Sequence, residues 1–153
     1  MLGFYFKYLM LYITLFFSAF VSATLLPSSS EVVLVTMISQ AKANLWLLWL
    51  AATSGNVLGS CVNYWLGTHV LRFKHKNWFP VSAKGLEKAQ SQFKKYGVYS
   101  LLFAWLPIVG DPLTVIGGIF KVRFSLFLLL VSIGKGARYL AVIALASGAQ
   151  AVL

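Results

Sequence analysis

An apolar stretch is interrupted at Trp105-Leu106-Pro107-Ile108-Val109-Gly110-Asp111-Pro112, and this break limits what the chain can fold into. Apolar runs lead into it, Val98 to Leu106, and out of it, Leu113 to Phe120. Two prolines and a glycine stop any continuous helix here, and Pro112 pushes the backbone of Asp111 out of the helical region. Pro112 suits the first position of a new helix and Asp111 suits its N-cap. The expected structure is a helix that ends inside an apolar layer, a turn, and a second short helix. In lipid such a break survives only where protein buries it or where it lines a wet cavity.

The same device occurs at Leu25-Leu26-Pro27-Ser28-Ser29-Ser30-Glu31, after the apolar run from Tyr8 to Leu26. Both sites read Pro-x-x-x-acid, as Pro27/Glu31 and Pro107/Asp111, 80 positions apart. Ser28 and Glu31 have the spacing of a capping box, which marks a helix start. Two of the chain's 3 acids sit at these breaks. Duplicated half-helix motifs of this kind are built into membrane transporters.

Only 10% of the 153 residues are charged and 59% are apolar, in long blocks rather than alternations. A soluble domain carries about 25% charged residues, so the chain reads as one all-α integral membrane domain. Its net charge of +10 fits cytoplasmic loops and anionic lipid rather than nucleic acid. The single cysteine, Cys61, excludes an internal disulfide and reads as packing. His69 and His75 lie near a basic segment without partner ligands, so no metal site is expected.

In order, residues 8–40 make a first re-entrant hairpin with Pro27–Glu31 at its tip; one long broken crossing is the alternative. Val21-Ser22-Ala23 also resembles a signal-peptidase site. Leu45 to Leu66 is a full span, with Gly55 and Gly59 as a close-approach pair. Asn56, Ser60, Asn63 and Gly67 share one face of it, either as packing or as a polar cavity wall. Residues 68–97 are basic, and Ser82 to Gly97 reads as an interfacial amphipathic helix. The second hairpin has its tip at Pro107, Gly110 and Pro112, and Phe124 to Ala146 is the second full span. The halves, 1–67 and 98–153, then share one plan around the linker. With the linker cytoplasmic, the hairpins enter from opposite sides as an inverted repeat.

Inside the apolar layer the ionisable groups are Glu31, Asp111, Lys135 and Arg138. Unpaired charge is costly there, so the two acids and two bases are expected to pair. They serve either as architectural ion pairs or as a site in which helix N-termini and two cations accept a phosphate headgroup while an acid exchanges a proton. Metal spacings, nucleotide loops and Ser/His/acid sets are all missing from the sequence, so neither an enzyme nor a cofactor is expected.

Leu26-Pro27…Glu31, Gly55-Asn56-x-x-Gly59-Ser60-x-x-Asn63-Tyr64-x-x-Gly67, Lys95-Tyr96-Gly97, Phe103-x-x-x-Pro107-x-x-Gly110-Asp111-Pro112, Gly117-Gly118 and Gly134-Lys135-x-x-Arg138-Tyr139 together resemble the DedA family, and within it the small YqaA-type branch of bacterial inner membranes. The resemblance implies two re-entrant hairpins with inverted pseudo-symmetry, and movement of lipids or lipid-linked phosphates, with proton coupling as an option. Glu31 matches the acid of the family's first hairpin and Pro107 the proline of its second. Another branch carries arginines around that proline; here Trp105 and Gly110 or their neighbours stand there, and Asp111 is added. The expected function is thus a lipid or lipid-phosphate translocase acting on anionic membrane lipids. A small-ion or proton-coupled exporter and a non-transporting assembly factor stay open, as does a homo-oligomer.

Overall fold

The computed structural model describes residues 2–24, 29–40, 43–69, 83–107 and 109–152, and among them every regular element is helical. The order is α1 (Leu2–Thr24), α2 (Ser29–Gln40), α3 (Leu45–Thr68), α4 (Ala83–Tyr96), a 3₁₀ helix (Gly97–Trp105), α5 (Gly110–Ile119) and α6 (Phe124–Val152). Three stretches are long and apolar enough to cross a membrane: Phe6–Thr24, Leu45–Thr68 and Phe124–Gly148. The sequence reading has two full spans; α1 adds a third helix of that length, because nothing between residues 6 and 24 interrupts its hydrogen bonding. The first tip, Pro27 and Ser28, lies outside the described residues, as does Ser82.

Small residues set how the helices lie. A Cβ on Gly59 would fall 2.6 Å from both the Phe20 carbonyl oxygen and the Ala23 Cβ, and one on Gly55 would overlap the Phe16 carbonyl. The rising pairs 16/55, 20/59 and 23/63, the last a 2.9 Å bond from Asn63 Nδ2 to the Ala23 carbonyl, make α1 and α3 parallel. α2, which lies between them in sequence, returns against α1 and α6. The backbone N–H of Asn44, just before α3, reaches the hydroxyl of Tyr12 at 3.2 Å, about halfway down α1. Twelve residues of α2 span about 18 Å, which accounts for that depth.

α6 runs the other way from α3. Tyr64 packs on Phe127 near one end, and the indole of Trp49 donates to the Gly136 carbonyl at 2.9 Å further along. The 3₁₀ helix runs with α6, since Leu102 lies against Gly134 and Trp105 against Arg138. α5 folds back from it and lays Gly118 on Gly67. Two apolar cores result. Leu101, Leu113, Ile116 and Phe127 centre the one under the second hairpin. Leu15, Leu34, Leu48 and Tyr139 centre the one beneath α2.

Two local expectations change. Residues 97–105 form a 3₁₀ helix rather than an α-helical limb. At about 2.0 Å per residue its nine residues reach about 18 Å, against about 13.5 Å in an α-helix, so they extend about as far along their axis as the twelve of α2. Asp111 is not the N-cap of α5: Val109 holds that position, and Asp111 lies in the first turn. Its carboxylate is engaged elsewhere, as described below. Gly97, expected to end α4, does so with φ of 61°, which a side chain disfavours.

Candidate functional site

α6 carries Lys135 and Arg138 three residues apart, so their side chains leave the helix about 60° apart and reach different neighbours. Lys135 is 4% exposed. Its ammonium donates to Asp111 at 3.0 Å and to the side-chain oxygen of Asn56. Burying that charge is tolerable because two acceptors replace water, one of them ionised. Asp111 comes from the first turn of α5, where the helix dipole also favours a carboxylate.

Arg138 points to the other tip. Its Nε donates to Glu31, in the first turn of α2, and its Nη1 donates to the carbonyl of Trp105 at 2.8 Å. One guanidinium thus holds the start of α2 and the end of the 3₁₀ helix together. These two bonds use two of its five N–H donors. The pair is partly open, with the side chains of Arg138 and Glu31 exposed by 19% and 26%.

Beside this pair lies a cavity of about 420 Å³, lined by Glu31, Trp105, Pro107, Ala137, Arg138, Ala141, Val142 and Leu145. Its wall is apolar apart from the ion pair. Gly110 and Pro112 are buried behind the tip rather than at this wall.

Of the polar face of α3, Asn56 and Asn63 are both buried but differ in what they do. Asn63 ties α3 to α1 through the Ala23 carbonyl. Asn56 joins the charged groups: besides Lys135, it donates to the Ala19 carbonyl at 3.2 Å and to the Tyr139 hydroxyl at 2.9 Å. Tyr139 is in turn 2.7 Å from the hydroxyl of Ser30. Sequence reasoning assigns Tyr139 no role. The available signal was position: Tyr139 falls one turn after Lys135 on α6, in a layer where a hydroxyl needs a partner. No group of three or more His, Cys, Asp and Glu residues able to hold a metal occurs among the described residues.

Residues 26–148 match the VTT domain, a stretch that begins at the first tip and ends near the close of α6. The chain is similar to inner membrane protein YqaA of Escherichia coli, 40% identical over 131 residues, which covers 86% of this chain and 87% of that protein. The YqaA protein of Shigella flexneri matches equally. An uncharacterized protein of Haemophilus influenzae is 36% identical over 140 residues, covering 87% of this chain and 85% of its own length. No solved structure matches this chain.

Proposed function

This chain belongs to the VTT-domain, or DedA, family, and we propose that it moves anionic lipid headgroups, of phospholipids or lipid-linked phosphates, across the inner membrane in which it sits as a multi-pass protein. The family is a class of membrane proteins.

The observation that carries this reading is the Arg138–Glu31 pair at the wall of an otherwise apolar cavity, with Arg138 held between the two helix tips. A cavity of about 420 Å³ accepts a headgroup but not a whole lipid. Acyl chains would leave it along Ala141, Val142 and Leu145, the last of which is 76% exposed. A phosphate suits the guanidinium in charge and in geometry. It would compete with Glu31 for the N–H groups of the guanidinium. Displacement also loosens the grip on Trp105, which offers a way for the tips to part.

The helix directions support an inverted repeat of re-entrant hairpins. In each half a first limb runs with the span of its half and a second limb runs against it: α1 and α2 with α3, the 3₁₀ helix and α5 with α6. The two spans are antiparallel, so the hairpins enter from opposite sides and their tips approach one another. Asn56 of the first span bonds Lys135 of the second across a separation of 79 residues.

Reconstitution into liposomes with labelled lipids and an imposed pH gradient, with no partner protein, tests the function. Lipid movement without a sustained ion flux is the expected result. Ion flux without lipid movement would favour the exporter, and the lack of both would leave the assembly factor.

A further inference from the structure

Two ion pairs hold the tips, and a chain of uncharged groups connects them. The Ala19 carbonyl can only accept, so its bond with Asn56 fixes which way the amide faces. The amide oxygen then faces Lys135, and the same nitrogen that bonds Ala19 also donates to Tyr139. Because Tyr139 already accepts from Asn56, its own proton is satisfied by the hydroxyl of Ser30, at 2.7 Å. Ser30 immediately precedes Glu31, and Tyr139 immediately follows Arg138. The sequence of contacts is therefore Asp111, Lys135, Asn56, Tyr139, Ser30, running from the start of α5 to the start of α2. Asn56, Ser30 and Tyr139 are exposed by only 7%, 1% and 2%, so no bulk water substitutes for a broken link.

We propose that Asn56 and Tyr139 are positioning residues that join the two ion pairs into one unit, so that release of Asp111 from Lys135 and release of Glu31 from Arg138 occur as a single event. Lys135 cannot follow Asp111 without pulling on the Asn56 oxygen. A turned amide withdraws its donor from Tyr139. Tyr139 lies next to Arg138 on one helix and holds Ser30, so the displacement reaches both members of the second pair. The coupling deepens the transport reading by supplying concerted movement of the tips, but it is a property of the resting fold and is measurable without substrate.

The test is a thermal double-mutant cycle in detergent on Asp111→Asn and Glu31→Gln, run in the native background and in Tyr139→Phe, which removes only the hydroxyl. Asp111→Asn alone is expected to lower the Tm by about 5–15 °C. In the native background the double variant should lose clearly less than the sum of the single losses. With Tyr139→Phe the losses should add. Additive losses in the native background, or equal non-additivity with and without the hydroxyl, would overturn the proposal. Amide hydrogen exchange gives a second measure for variants that melt too early: Asp111→Asn should speed exchange in residues 29–34, and should do so less in the Tyr139→Phe background. Unchanged exchange at 29–34 would also overturn it. Coupled cycles in a protein that moves no lipid would support this inference while rejecting the transport reading; additive cycles in a protein that does move lipid would reject the inference alone.

Discussion

Gly67 and Gly118 meet backbone to backbone: a Cβ on Gly118 would lie 3.0 Å from the Cα of Gly67 and would overlap the carbonyl oxygen of Tyr64. This contact joins α3 to α5, and so fixes how far α5 lies along α3. Since the atoms in the way are backbone, no rotamer change relieves the clash. Gly118→Ala is expected to cost about 1–3 kcal/mol or more. Gly148→Ala, where the added methyl meets nothing within 4 Å, should be neutral or stabilise by up to about 1 kcal/mol. Thermal melting of the two variants side by side checks the contrast.

The acids should separate into a stability role and a transport role. Asp111→Asn leaves the ammonium of Lys135, itself 5% exposed as a side chain, without its counter-charge, and should destabilise by about 3–5 kcal/mol. Asp111→Asn combined with Lys135→Met should regain much of this in melting temperature without regaining lipid movement. Glu31→Gln should cost less, about 1–3 kcal/mol, because its pair is more open to solvent, yet should abolish transport. Melting temperature and flux are scored separately; a double variant with both restored would assign the pair to architecture.

Filling the cavity tests its use. Ala141 lines it and faces outward, so Ala141→Trp should leave stability within about 0.5 kcal/mol while transport falls at least about tenfold, a barrier change of about 1.4 kcal/mol. Full activity in a folded Ala141→Trp variant would move the lipid path elsewhere.

The orientation of the halves is open to labelling. Single cysteines placed at Lys7 and Lys42, in a Cys61→Ser background, should react from one side of the membrane. Cysteines at Lys74 and Lys95 should react from the other. Labelling of all four from one side would sink the inverted layout.

Much of this arrangement was legible in the chain. Pro107 and the run Leu25 to Glu31 had to break helices, because a proline in a helix interior removes a backbone donor and clashes with the preceding turn. Four charges in an apolar layer had to find one another, since lipid offers them no other partner. Gly55 and Gly59 had to face another helix, because close approach is what such a pair permits. What the sequence left undecided was which acid meets which base. Lys135 and Arg138 differ by about 60° around α6, and the rotation and depth of that helix relative to two tips more than 20 residues away select Asp111 for one and Glu31 for the other. Those quantities come from contacts made far along the chain, Gly118 on Gly67 and Gly134 on Leu102. The same contacts give Tyr139 its partners, Asn56 and Ser30, which are 83 and 109 residues away. Local patterns fixed where helices stop and which residues avoid lipid; only the packing of backbone against backbone decided which of those residues touch.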